Sequence, residues 1–224
     1  HAERLIGWIQ LAAVLTFATL YIVSPKTFTA HDTFEPVPWA IGGYLVFTGL
    51  RLFLAYRISL PGWFLVLSIL IDMGLLFGLI WSFHLQYEQP PSFYLKAPTL
   101  LYVFIFIALR ALRFRAVYVI VAGAVAAFGW AMLMLYAVSI DPRDPMITRD
   151  YVQYLTSNAV LIGAEFDKIA SILAFTAILS IALLRGRDLL QRAVVEGFAK
   201  QDLSRFFDPG IASRITARGH ELAA

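Results

Sequence analysis

The sequence predicts an all-helical integral membrane protein with six transmembrane helices, both termini in the cytoplasm and a last helix extended beyond the bilayer. Three observations carry this: a strongly apolar composition, six separate apolar runs, and an uneven distribution of arginine. The 224 residues are 60% hydrophobic and only 15% charged, with a mean hydropathy of +0.73. A water-soluble surface cannot be built from that mixture. Disordered, fibrous and disulfide-rich secreted classes are excluded, and the lack of cysteine removes thiolate metal sites and cysteine nucleophiles. The chain begins with His1, and its first apolar run is too long for a signal peptide and has no small-residue cleavage site, so a fragment is expected.

The runs are Leu5 to Val23, Pro38 to Tyr56, Gly62 to Phe83, Ala97 to Leu112, Ala116 to Ile140 and Glu165 to Leu184, each bounded by charge or proline. A helix needs about 20 apolar residues to cross a bilayer, so the fourth run is short unless Lys96 and Arg110 snorkel to opposite surfaces. Domains are expected at 1–184, the membrane bundle, and 185–224, a cytoplasmic connector. Arg4, Arg51, Arg57, Arg110, Arg113 and Arg115, then Arg185, Arg187 and Arg192, fall on one side. The positive-inside bias places that side in the cytoplasm of a multi-pass protein of the cell (inner) membrane. The other side carries Asp32, Glu35, Glu88, Asp141, Asp144, Asp150, Glu165 and Asp167 against Lys26, Lys96, Arg143, Arg149 and Lys168, and is net acidic. There Asp141-Pro142-Arg143-Asp144-Pro145 reads as a turn. Thr148 is expected to cap a helix that runs on through the sixth span to about Arg205, with no proline before Pro209.

Within the spans, Asp72 of the third is costly in hydrocarbon and demands a partner or a function. Arg51, on the adjacent hairpin helix, is the expected partner in a buried pair. The rival is an ion or proton relay through Asp72, making the chain a small transporter or channel. Gly74 and Gly78 form a small-xxx-small pair that either packs a helix of the same chain or meets a second subunit. On the acidic side, His31, His84, Glu35, Glu88, Glu165 and Asp167 offer imidazole plus carboxylate, a zinc-type ligand set, although solvated interfacial charge is the plainer reading. The tryptophans, mostly at or near span ends, suit an aromatic belt. No phosphate loop, serine triad or catalytic carboxylate pair occurs. The tail arginines directly after a span suit anionic lipid, and no nucleic-acid partner is expected.

Beyond Leu184, an apolar stripe of Leu183, Leu190, Ala193, Val194, Gly197 and Phe198 calls for a partner helix. Asp208 and Pro209 then start a second short helix, against which Phe206 and Phe207 could pack. The run Leu203-Ser204-Arg205-Phe206-Phe207-Asp208-Pro209-Gly210-Ile211-Ala212, with Ile215, resembles the segment that precedes the catalytic domain of bacterial class III adenylate cyclases. The resemblance implies a membrane anchor and connecting helix for an enzyme that makes cyclic AMP and pyrophosphate from ATP. It implies a homodimer, and two divalent ions, Mg or Mn, held by aspartates of a catalytic domain. The first of those aspartates is expected after Ala224, so this chain alone is expected to be inactive and no catalytic residue is assigned within it. Arg205, Phe206, Phe207, Asp208 and Pro209 would relay a signal to that domain. An extracytoplasmic small ligand is the expected stimulus if the bundle is a receptor; an inert anchor is the other reading.

Overall fold

The computed structural model describes residues 2–23, 36–58, 60–140 and 147–206. Every regular element among them is helical, apart from one isolated parallel bridge between Ile147 and Val160. Five helices are long and apolar enough to cross a membrane: α1 (Ala2–Val23), α2 (Pro36–Arg57), α3 (Gly62–Gln86), α5 (Ala116–Ile140) and α7 (Ile162–Phe206). Two shorter ones, α4 (Tyr102–Ala111) and α6 (Tyr151–Thr156), lie between them. The chain is a multi-pass membrane protein. Short connections at 58–61 and 112–115 mark what we call the proximal end of the bundle, and residues 87–101 and 147–161 the distal end.

The run from Ala97 to Leu112 is built differently from a single span. Pro90, Pro91 and Pro98 lack the amide hydrogen that an α-helix needs and force the preceding residues into extended backbone; Pro90 and Ala97 are both extended. The chain therefore advances as two 3-10 turns, Pro91–Lys96 and Pro98–Leu101, before α4 begins. A 3-10 turn rises about 2 Å per residue, against about 1.5 Å for an α-helix, so Pro98 to Ala111 covers about 23 Å with few residues. Tyr94 and Leu95 of the first turn are fully buried, packed against α3 and α5.

Helix α3 lies against α5 where Gly129 meets the Phe77 ring; a Cβ on Gly129 would fall 2.5 Å from that ring. Helix α5 meets α7 at Gly123, where a Cβ would fall 2.1 Å from Thr176 Oγ1. Glycines on α5 thus set both approaches, as small residues do between membrane helices. Gly74 and Gly78 do neither: both are exposed and a Cβ on either would meet nothing within 4 Å.

The expected unbroken helix from Thr148 to Arg205 is interrupted. Asp150 caps α6, its Oδ1 accepting from the Val152 amide at 2.8 Å, while Thr148 Oγ1 accepts from the Asp150 amide. Ser157 then turns extended and closes α6, and α7 starts afresh at Ile162. From there it continues for 45 residues through Gly163, Gly186 and Gly197, more than twice the length that spans a bilayer. The chain divides into two compact units, His1–Ser180 and Ile181–Ala224. In the second, the described residues are helical to Phe206, and Leu190, Val194 and Phe198 are exposed. The Asp141–Pro145 turn and the short helix expected from Asp208 lie outside the described residues.

The glycine contacts give a paired prediction. Gly123→Ala should lower thermal stability in detergent by about 1–3 kcal/mol through overpacking, and adding Thr176→Ala should recover most of it. Gly74→Ala should cost nothing measurable.

Candidate functional site

Two buried polar clusters organise the bundle. The first is centred on Asp72, about 15 Å along α3 from Gly62. Its Oδ2 accepts a hydrogen bond from Arg110 Nη2 of α4 and another from Gln10 Nε2 of α1 at 3.4 Å. Arg51 Nη1 of α2 lies 3.9 Å from the same oxygen. The Gln10 amide also donates to the Tyr44 hydroxyl of α2 at 3.4 Å. All five side chains are buried. One carboxylate thereby ties four helices together, and the two guanidiniums around it leave the cluster with a formal excess of one positive charge.

Arg110 is the partner that sequence reasoning missed. Its place at the end of an apolar run suggests the membrane surface, but in the last turn of α4 it is completely buried. The available signal was the charge balance: a lone acid facing two arginines at similar depth has a choice of partners.

The second cluster lies at the distal end. Glu165, in the first turn of α7, is fully buried. Its Oε2 accepts from Trp130 Nε1 of α5 at 3.0 Å, and its Oε1 accepts from Lys168 Nζ at 2.8 Å and the Tyr154 hydroxyl at 3.5 Å. Lys168 also donates to the Leu95 carbonyl at 2.6 Å and sits 5.1 Å from the Trp130 ring centroid. Lys96 donates to the Tyr154 and Ser157 carbonyls at the end of α6. Both lysines therefore satisfy carbonyls that irregular backbone leaves unpaired. Non-helical chain inside a membrane protein is tolerated only when such groups find partners. Burial pushes the Tyr154 phenol from 10.0 to about 12, reinforced by the Glu165 charge. Burial also lowers the Lys96 ammonium, against the opposing pull of Glu165.

The expected ligand set is distributed as follows. His84 is buried, its Nδ1 donating to the Trp81 carbonyl and its ring packed against Trp81, Tyr94 and Tyr136 at centroid distances of 5.1, 5.6 and 6.2 Å. Glu88 is exposed and adopts φ 48. It occupies the left-handed position that closes α3, with Gln89 N donating to the His84 carbonyl at 3.0 Å, a Schellman-type ending usually given to glycine. Asp167 is exposed. The Glu165 oxygens are already taken by Lys168, Tyr154 and Trp130. Among the described residues, no three His, Asp or Glu side chains are grouped to hold a metal ion. His31 and Glu35 lie outside the described residues. Arg205 and Phe206 end α7, while Phe207, Asp208 and Pro209 lie outside the described residues.

Comparisons with protein-family models, with curated proteins and with solved structures return no match.

Two predictions follow from the clusters. Asp72→Asn leaves two buried guanidiniums facing each other and should cost about 3–5 kcal/mol in detergent unfolding, whereas Arg110→Leu should cost less because Arg51 can take over the carboxylate. The double variant should be more stable than Asp72→Asn alone. For Tyr154, the folded state retains a phenolic proton that the unfolded chain releases above pH 10.0. Its contribution is complete below that pH and is lost as pH rises towards about 12. Stability measured across this window should fall more steeply in the wild type than in Tyr154→Phe.

Proposed function

We propose that this chain is the membrane domain and connecting helix of a class III adenylate cyclase of the cell (inner) membrane, serving to anchor two catalytic domains and to set their relative placement. The reading takes the run from Ala97 to Leu112 as a sixth crossing, places both ends in the cytoplasm, and puts the distal end outside. The observation that carries it is α7. This helix begins in the buried Glu165 cluster and continues without a break to Phe206, inside the Leu203–Ala212 stretch that resembles the cyclase connector. A stimulus at the distal end would act by binding two arrangements of α7 with different affinity. The ATP-converting chemistry, with its two divalent ions, would belong to a domain following Ala224, and no residue of this chain takes part in it.

Transport through Asp72 is the weaker reading. A relay carboxylate must exchange its proton or ion, and Asp72 is held between Arg110 and Arg51.

The test is to join a class III catalytic domain after Ala224 and measure cyclic AMP formation in membranes. The fusion should be active, and Val195→Pro, which breaks α7 at an exposed position, should remove most of that activity while insertion is retained. Activity equal to that of the free catalytic domain, unaffected by the proline, would sink the proposal.

A further inference from the structure

The carboxylate at the centre of the bundle is only half used. Asp72 Oδ2 takes the contacts with Arg110, Gln10 and Arg51, while Asp72 Oδ1 has no hydrogen-bonding partner among the described residues. The same is true of Gln10 Oε1 and of Arg110 Nε and Nη1. These side chains are almost wholly buried, at 1% exposure for Gln10 and Asp72 and 0% for Arg110. Each orphaned atom is one carbon away from an atom already joined in the network, so all four lie around the same carboxylate. Two are acceptors and two are donors.

We propose that this cluster is a hydration site, holding about one or two water molecules in the membrane interior on the count of two donors and two acceptors. Water is the small ligand that matches both halves of the set. A halide would accept from Arg110 but face the lone pairs of Asp72 Oδ1 and Gln10 Oε1. A metal cation would suit those oxygens but meet two guanidiniums whose sum with Asp72 is already positive. Water can donate to Asp72 Oδ1 and Gln10 Oε1 and accept from Arg110 Nε and Nη1, so one carboxylate oxygen meets the arginines while the other is hydrated. This inference is independent of the cyclase reading, since it concerns only α1 to α4.

Hydroxyl-radical footprinting of the full chain in lipid nanodiscs, with X-ray radiolysis of bulk and trapped water and mass-spectrometric readout, tests it. Tyr44 borders the cluster, whereas Tyr94, whose hydroxyl donates to the Leu133 carbonyl at 2.7 Å, and Tyr118 lie elsewhere and are at least as buried. Tyr44 should be modified several-fold faster than either, and its label should follow dilution into oxygen-18 water slowly. Gln10→Leu should bring the Tyr44 rate down towards that of Tyr94 without changing Tyr94. Should that variant not fold, the wild-type comparison decides alone. Equal modification of Tyr44 and the two control tyrosines overturns the proposal. So does an anomalous bromide peak beside Arg110 in crystals grown with bromide, which would make the site an anion site.

Discussion

A carboxylate in the middle of a membrane bundle must be matched before the helices around it can pack, and Asp72 imposes that condition on α1, α2, α3 and α4 together. Its partners come from separate helices: Gln10 from α1, Arg51 from α2 and Arg110 from α4. Leaving any of these charges alone in hydrocarbon costs more than most single packing contacts give back. The cluster therefore selects one arrangement of the four helices out of many that would bury similar apolar area. Apolar surface discriminates poorly here, because lipid tails are as good a solvent for leucine as another helix is. Geometry in this half of the molecule is set by polar groups and small residues, while the apolar residues set depth.

The distal end answers a second constraint, the unpaired carbonyls of irregular backbone. Prolines at 90, 91 and 98 prevent a plain helix, and α6 ends after one and a half turns at an extended Ser157. Lys168 and Lys96 donate into the resulting carbonyls at Leu95, Tyr154 and Ser157. Glu165 balances part of that positive charge and fixes Trp130 and Tyr154 in turn. Lys96 and Lys168, which read as interfacial charge in the sequence, are therefore donors to backbone carbonyls. The same geometry brings α7 into the bundle by its first turn, next to the contact of Thr176 with Gly123 farther along.

The membrane helices were legible because length and apolarity alone define them, and the ends of α1, α2, α3 and α5 fall within a few residues of the apolar runs. The departures share a cause: local backbone chemistry and tertiary partners that hydropathy does not register. The run over 97–112 is apolar throughout, yet its prolines divide it. Thr148 and Asp150 are both good caps, and only the position of the Val152 amide decides between them. Asp72 was legible as a group needing a partner, and Arg51 as one within reach. Arg110 was hidden by the assumption that an arginine at the end of a run reaches the surface. The Gly74 and Gly78 pair reads as a packing motif, but within the chain the close approaches are made at Gly123 and Gly129, because these face Thr176 and Phe77. Which glycine is used depends on the neighbour opposite, and that is not written in the spacing.

The two clusters differ in what they permit. Around Asp72 the partners sit on three other helices, α1, α2 and α4, so a change there would have to move several helices at once. Around Glu165 the acid and one of its lysines sit on α7 itself, whereas Trp130, Tyr154 and the Leu95 carbonyl sit on other elements. A fully buried carboxylate cannot be half released: losing the Trp130 and Tyr154 bonds exposes it to the whole desolvation penalty unless water or a new partner arrives. Such a contact switches between made and broken, and does not stretch by degrees. Tight packing elsewhere in the bundle favours the same behaviour, since close-packed interfaces respond by changing state more readily than by deforming.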